Sequence, residues 1–383
     1  MSRYLSALIA QDLQKRMVIV TGPRQVGKTT MARDLNTQFK RPIYLNYDSI
    51  ADRERIERAD WAPSHDYVVL DEIHSMSRWK PYLKGIVDTK PASQALLVTG
   101  SARLDTFRQS GESLAGRYHR WRLHPFSVRE LCAQSGTDAD QALEALMRFG
   151  GFPEALFEAS DAGRKRWQNQ YFTDLVREDV MEFSRIHEVR AMRNLVELLR
   201  RRTGSPLSFE SLARDLSVAP NTVRSYVDIL AALHIVFLVR PYHRNIARAQ
   251  AKAPKLYFYD WAYVQNTTPD EQPGAQFENL VATHLLKHAC FLADSTGEEV
   301  ELNYLRTTGG KEIDFVLINA TGDATHFVEV KWSESKPSFS LRQMAQTHPD
   351  AQAVQLVRHA RHAFDRDAVA VRPAAQWLAD LAA

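Results

Sequence analysis

The chain has 383 residues, enough for about two to four domains. Hydrophobic residues make up 44% and charged residues 25%, the balance of a folded globular protein rather than a disordered or fibrous one. Two cysteines, Cys132 and Cys290, lie far apart, which excludes a disulfide scaffold or a cysteine-rich zinc site and fits a reducing cytosol. No apolar run approaches membrane-spanning length, and the first sixteen residues show no signal-peptide core, so no membrane is expected as partner and the cytoplasm is the expected location. The net charge of +3 is unevenly spread: residues 266–383 carry 10 Lys+Arg against 16 Asp+Glu, and residues 1–265 carry 39 against 30. A basic front and an acidic back direct any nucleic acid to the first two-thirds of the chain.

In chain order, Met17–Gly22, Ile43–Asp48, Tyr67–Ile73, Ala95–Ser101 and Tyr118–Pro125 read as strands, with helices over Ala32–Phe39 and Trp79–Asp88. Such alternation predicts a parallel α/β sheet. Ser127 to about Arg202 reads as helical, broken at Gly150-Gly-Phe-Pro153. Short helices and then extended apolar runs follow over Leu207–Tyr259. After the Pro- and Thr-rich link Asn266–Ala275, a long helix begins at Gln276, and Leu302–Thr307, Ile313–Ile318 and His326–Val330 read as strands.

The first strand runs into Gly22-Pro23-Arg24-Gln25-Val26-Gly27-Lys28-Thr29, followed by Thr30, which fits G-x-x-x-x-G-K-[ST] between a strand and a helix. Glycines let the backbone curl so that its N–H groups meet phosphate oxygens. Lys28 reaches the terminal phosphates, and the Thr29 hydroxyl holds Mg²⁺. Tyr67-Val-Val-Leu-Asp71-Glu72 ends an apolar strand in two carboxylates. Beside a P-loop strand, Asp71 helps to hold Mg²⁺ and Glu72 orients or deprotonates the attacking water. The strand Leu96–Ser101 is expected between these two motifs, where Thr99 or Ser101 senses the γ-phosphate. Arg117, in Leu114-Ala-Gly-Arg117, is either a finger completing a neighbour's site or a plain surface arginine.

These segments, with Leu123-His-Pro-Phe-Ser127, Gly150–Glu154 and Tyr171–Val180, resemble a prokaryotic AAA+-type ATPase family whose members carry a C-terminal domain of uncharacterised function. The resemblance spans nearly the whole chain. It implies an ATPase core, a helical lid, a winged-helix segment and a restriction-endonuclease-like terminal domain, with ATP and Mg²⁺ as cofactors. Arg177-Glu-Asp179-Val180 departs from the family's charge spacing, and no role is carried to Asp179.

Ser208–Leu216, a turn, and Asn221–Leu230 read as a helix-turn-helix, with Asn221, Thr222, Arg224 and Ser225 facing outward at the start of the second helix. Ile229–Tyr259 contains no acidic residue but holds Arg240, Arg244, Arg248, Lys252 and Lys255. Cations without carboxylates suit a phosphate backbone, so DNA is the expected partner; a protein-packing module is the alternative.

Near the end, Glu278 lies on an amphipathic helix, Asp314 enters a strand, and Glu329-Val-Lys331 alternates on another. An acid followed by E-x-K is the arrangement of restriction-type nucleases, in which Asp314 and Glu329 hold Mg²⁺, Lys331 positions or activates water and Glu278 supports them. His284 and His288, at i,i+4 spacing, read as a satisfied surface pair rather than metal ligands. The expected architecture is therefore a P-loop core over 1–126, a helical lid over 127–205, a winged helix over 206–265 and a nuclease-like α/β domain over 266–383. The expected activity is ATP hydrolysis acting on DNA, in a homo-oligomer if Arg117 serves a neighbour. An ATP-driven signalling or defence switch and an ATP-gated nuclease are the alternatives.

Overall fold

A computed structural model describes residues 3–100, 104, 114–175, 189–242, 252–264, 273–306, 312–333, 336–360 and 362–383. The chain forms two compact units, residues 1–124 and 125–383.

The first unit is a five-stranded sheet. It comprises α1 (Ser6–Leu13), β1 (Met17–Thr21), α2 (Lys28–Asp34), β2 (Pro42–Asn46), α3 (Ile50–Arg58), β3 (Tyr67–Asp71), α4 (Trp79–Thr89), β4 (Ala95–Thr99) and β5 (Tyr118–Arg122). The strand order is β2-β3-β4-β1-β5, and every neighbouring pair is parallel. The central strands β1, β3 and β4 are buried at every residue, whereas the edge strands β2 and β5 are mostly half-buried. Central strands of a parallel sheet covered on both faces need such unbroken apolar runs, and Met17-Val-Ile-Val and Tyr67-Val-Val-Leu supply them. All five strands end at the same edge, which is where open α/β sheets carry their ligands. The order also sets β4 between the glycine-rich strand and the Asp-Glu strand, as the sequence leads one to expect.

The second unit opens with helices α5 (Val128–Ser135), α6 (Ala139–Phe149), α7 (Pro153–Glu158), α8 (Asp161–Asp174) and α9 (Val189–Arg200). Side chains of Ser127, Asp138 and Ser160 cap three of them, and Pro153 starts α7 at a position where no backbone N–H is needed. Next come α10 (Phe209–Leu216) and α11 (Pro220–Ala232), then β6 (Val236–Pro241), β7 (Lys255–Phe258) and the long α12 (Gly274–Ser295). The chain ends with β8 (Glu301–Arg306), β9 (Glu312–Ile318), β10 (Ala324–Ser333), α13 (Phe339–Thr347), β11 (Gln352–His359), β12 (Phe364–Arg366), β13 (Val369–Pro373) and α14 (Ala374–Ala379).

The packing of this unit is continuous across residues 205 and 265. Strands β6 and β7, within the segment expected to be a winged helix, extend the C-terminal sheet, whose order is β12-β13-β11-β10-β9-β8-β6-β7. Strand β6 joins β8 through a short parallel ladder at Arg240↔Asn303 and Pro241↔Tyr304. One apolar core runs from Phe126, Leu146 and Phe149 through Tyr257 and Trp261 to Phe277, Phe315 and Leu378. The glycine break at 150 has a steric cause. Gly150 has φ +84, and a Cβ there would lie 2.5 Å from Asp260 Oδ1. The Trp261 indole N–H donates to Leu146 O at 2.7 Å beside it.

A buried cation and a buried imidazole sit in this core. The Lys287 ammonium is shared by Glu130, Ser127 Oγ at 3.0 Å and Pro125 O at 3.1 Å. His284 is buried rather than at the surface, which corrects the expectation for the His284/His288 pair. Its Nδ1 meets Leu280 O at 2.8 Å, and its Nε2 accepts from the Val128 N–H at 3.1 Å, so both ring nitrogens are used and the neutral ring is the form that fits. Among the described residues no helix is long and apolar enough to cross a membrane.

Burial drives His284 down from 6.5 to about 4. A histidine depressed on folding contributes stability above its unfolded value and loses it as pH falls towards the folded one. The melting transition of the 125–383 unit should therefore fall between pH 7 and pH 5, with His284 alone contributing about 2 kcal/mol at pH 5. Tryptophan-fluorescence melts of wild type and His284→Gln check this: the variant should show a flatter pH dependence, and an unchanged slope would refute the assignment.

Candidate nucleotide site

The turn after β1 follows from its glycines. Gly22 has φ +146, and a Cβ there would lie 2.3 Å from Leu123 O, so no other residue fits. Gly27, with φ +99, caps α2 in the left-handed region. Pro23 and Val26 are buried, Arg24 is half-buried, and Gln25 and Thr30 face solvent. The buried Lys28 ammonium is held by Gly22 O at 3.0 Å and Pro23 O at 2.7 Å. A positive group thus stands at the loop's own centre, where a polyphosphate would be received. Arg3, which carries no motif signal, braces the loop from outside: its guanidinium donates to Val26 O at 2.7 Å and to His124 O at 2.6 Å.

Asp71 is the hub of the site. It is 1% exposed and accepts from Thr29 Oγ1 at 2.7 Å, Tyr44 Oη at 2.5 Å, the Thr99 hydroxyl and the Glu72 N–H at 3.1 Å. The sheet register explains the convergence. Asp71 stands opposite Asn46 on β2, so Tyr44, two residues earlier, lies on the same face. On the other side Leu70 stands opposite Val98, which brings Thr99 beside Asp71. Thr99, one of the two candidates for phosphate sensing, is thus bound to the Asp71 carboxylate; Ser101, the other, lies outside the described residues.

Glu72 directly follows β3 with φ +54, a strained conformation of a kind that concentrates at functional sites. Its carboxylate meets His74 Nδ1 at 3.1 Å. Burial alone would raise Glu72, but the His74 hydrogen bond and the charges of Lys28, His74 and Arg24 overcome it and hold the carboxyl below its usual range. Glu72 is therefore ionised at neutral pH and suited to accepting a hydrogen bond from water. The site supplies a hydroxyl and a carboxylate as hard oxygen donors for Mg²⁺ and an ammonium for phosphate, so these residues fit both.

Arg117 stands apart from this cluster. It precedes β5, whose first residue pairs with Met17 at the start of β1. It therefore lies at the opposite edge of the sheet, roughly 16 Å from the glycine loop at strand rise. There it makes a two-pronged pair with Asp88, at 2.8 and 3.1 Å.

In the second unit, α10 and α11 form a helix pair joined through Ser217 in the left-handed region. Val223, Tyr226, Val227 and Leu230 are buried, while Asn221, Arg224 and Ser225 are exposed and Thr222 is half-buried. Arg224 lies over the Phe209 ring at 4.5 Å. Arg240 is exposed on β6; Arg244, Arg248 and Asp179 lie outside the described residues. Lys255, counted among the cations of this stretch, is 2% exposed and ion-paired with Glu278 and Glu312, so it is no phosphate contact.

The structure brings Glu278, Asp314, Glu329 and Lys331 into one region, where one oxygen of each carboxylate is engaged within the protein. Asp314 Oδ2 accepts from the Val330 N–H at 2.8 Å, Glu329 Oε1 meets Lys331 at 2.7 Å, and Glu278 Oε1 accepts from Tyr257 Oη at 2.7 Å. Among the described residues no three His, Cys, Asp or Glu side chains converge on a metal position. As arranged, these residues do not fit Mg²⁺.

The first unit matches a known family. Residues 14–132 match the family described as AAA domain. Residues 140–271 and 273–376 match two domains of unknown function, DUF8612 and DUF4143. With the glycine loop and the Asp71 hub, the match over residues 14–132 supports an AAA-type ATPase. The chain is 28% identical to an uncharacterized protein of Mycobacterium tuberculosis, Rv2008c, over 94% of this chain and 81% of that one. It is 20% identical to an uncharacterized protein of Methanocaldococcus jannaschii, MJ1544, over 81% and 75%. Among solved structures it is similar to the Walker-type ATPase PABY2304 of Pyrococcus abyssi (15% identity, TM-score 0.41, 67% of this chain and 92% of that one). It is also similar to a variant of Thermotoga maritima RuvB (17%, TM-score 0.31, 61% and 88%).

Tyr44 was not legible as a site residue, yet it is one of the donors that fix Asp71. In Tyr44→Phe the Mg²⁺ concentration for half-maximal ATP hydrolysis should rise about fivefold, the loss of one hydrogen bond of about 1 kcal/mol, with little change at saturating Mg²⁺. A Mg²⁺ titration identical to wild type would show that Tyr44 does not position Asp71.

Proposed function

We propose that this protein is a Mg²⁺-dependent ATPase whose hydrolysis cycle acts on DNA held by α10 and α11. The observation that carries the ATPase half is the Asp71 hub, which joins the Thr29 hydroxyl to the strand bearing Glu72. Magnesium held by Thr29 and Asp71 would offset charge on the β- and γ-phosphate oxygens. Lys28 exchanges its Gly22 and Pro23 carbonyl partners for phosphate oxygens. Glu72 orients the attacking water; a carboxylate held below its usual range acts by hydrogen bonding and charge more than by strong basicity. Arg117 stands too far from the glycine loop of its own chain to take part, so as a finger it serves a neighbouring copy in a homo-oligomer.

The DNA half rests on the helix pair and on the exposed Asn221 and Arg224 at the start of α11. Phosphate contacts from Arg224 and Arg240 would give salt-dependent affinity without demanding a particular sequence. A second reading, an ATP-driven signalling or defence switch that binds protein, is favoured by the mixed charge of the same helices. Glu210, Asp215 and Asp228 are exposed there too, and Asp215 pairs with Arg202 at 2.6 Å.

ATP turnover measured with single-stranded, duplex and branched DNA separates the two readings. The DNA reading predicts stimulation by at least one form, weakened by salt and by Arg224→Ala. Turnover indifferent to every DNA, together with no salt-sensitive binding, would transfer the function to a protein partner.

A further inference from the structure

The acidic cluster of the second unit is not short of a cation. Lys255, at the start of β7, is 2% exposed, lies 3.5 Å from Glu278 Oε1 and pairs closely with Glu312. Burial works against its charge, but the carboxylates of Glu278, Asp314 and Glu312 more than restore it. Asp314 belongs to the same neighbourhood: it lies two residues from Glu312 on β9 and so shares its face of the strand. One step along the β9–β10 ladder from Val328↔Phe315, Asp314 comes opposite Glu329. Glu329 is 4% exposed, and its Oε2 has no hydrogen-bond partner. Four carboxylates therefore share one largely buried region with two ammonium groups, those of Lys255 and Lys331.

Access is closed from the side of the helix pair. A Cβ on Gly204 would lie 3.0 Å from Glu278 Oε1, so the chain leading into α10 rests directly on that carboxylate. The same segment is tied to β7 on both sides of Lys255: Gly204 N–H donates to Leu256 O at 3.1 Å and Leu207 N–H to Pro254 O at 2.8 Å. The strand that delivers Lys255 is thereby fastened to the segment that covers the cluster.

We propose that Lys255 occupies the cation position of this carboxylate cluster, so that the native chain keeps a latent divalent-metal site shut with its own ammonium group. An ammonium and a hard divalent cation compete for the same oxygens, and a buried carboxylate group deprived of one demands the other. The C-terminal unit is then a metal-independent module in the wild-type protein. Lys255 acts as a clamp between the sheet and the helix pair, and Mg²⁺-dependent strand cleavage is not its activity. This inference is independent of the ATPase reading, since none of its residues touches the glycine loop.

Manganese binding to the full-length protein without nucleotide, followed by electron paramagnetic resonance, tests it. Wild type and Asp314→Asn should bind Mn²⁺ identically. Lys255→Met should gain one Mn²⁺ per chain, at least about tenfold tighter than any Asp314-dependent binding in wild type, and Asp314→Asn should remove it in the double variant. Mn²⁺ bound by wild type and lost in Asp314→Asn would overturn the proposal, because the site would then be open. A folded Lys255→Met that gains no ion would overturn it as well. Should Lys255→Met not fold, the comparison of wild type with Asp314→Asn still decides.

Discussion

A buried carboxylate needs donors on every side, and Asp71 has them: two threonine hydroxyls, a tyrosine hydroxyl and the N–H of the next residue. Hydrogen bonds to a charged group contribute about 1.5–3 kcal/mol each, and together they offset the cost of taking this side chain out of water. The donors come from β2, β4 and the first turn of α2, so the hub exists only if β3 lies between β2 and β4 and β1 follows β4. The sheet order β2-β3-β4-β1-β5 meets that condition. Asp71 thus links Thr29, at the end of the glycine loop, to Glu72, and a shift at any of its donors reaches Glu72 through one backbone N–H.

The second unit uses buried charge differently. Lys287 and Lys255 each bring an ammonium into a mostly apolar interior, and each is surrounded by acceptors from segments remote in sequence: Glu130 and Ser127 for one, Glu278 and Glu312 for the other. Such pairs add little net stability over apolar packing, but removing one partner leaves an uncompensated charge, typically at a cost of about 3–5 kcal/mol. They fix which strand meets which helix. This accounts for a unit in which helices before residue 200, a two-strand extension and the terminal sheet share one core.

Those features divide by range in what the sequence reveals. The glycine loop, the Asp71-Glu72 strand end and the interposed β4 were legible because each is local: a turn with fixed glycine spacing, or an apolar run ending in acids. The helix pair and the Glu278, Asp314 and Glu329-Val-Lys331 positions were legible for the same reason. Tyr44, His74 and Arg3 were not, because their roles depend on cross-strand register or on contacts with a segment far along the chain, and no local pattern records either. Helix α3 was missed because only Ile56 of its nine residues is buried, leaving no apolar face to read. Lys255 misled for a physical reason. Its stretch lacks acids, which suggested phosphate, yet its carboxylate partners come from α12 and β9. The β6–β8 ladder, which joins strands on either side of the polar link, was not legible either, because no local pattern records such a pairing.

The measurement that bears most directly on this account is ATP hydrolysis by the purified protein with Mg²⁺, paired with nucleotide binding, for wild type and Glu72→Gln. The account predicts that wild type turns over ATP, while Glu72→Gln binds ATP as well as wild type but hydrolyses it at least about 100-fold more slowly. Equal turnover in the two proteins, or no ATP binding by either, would contradict it.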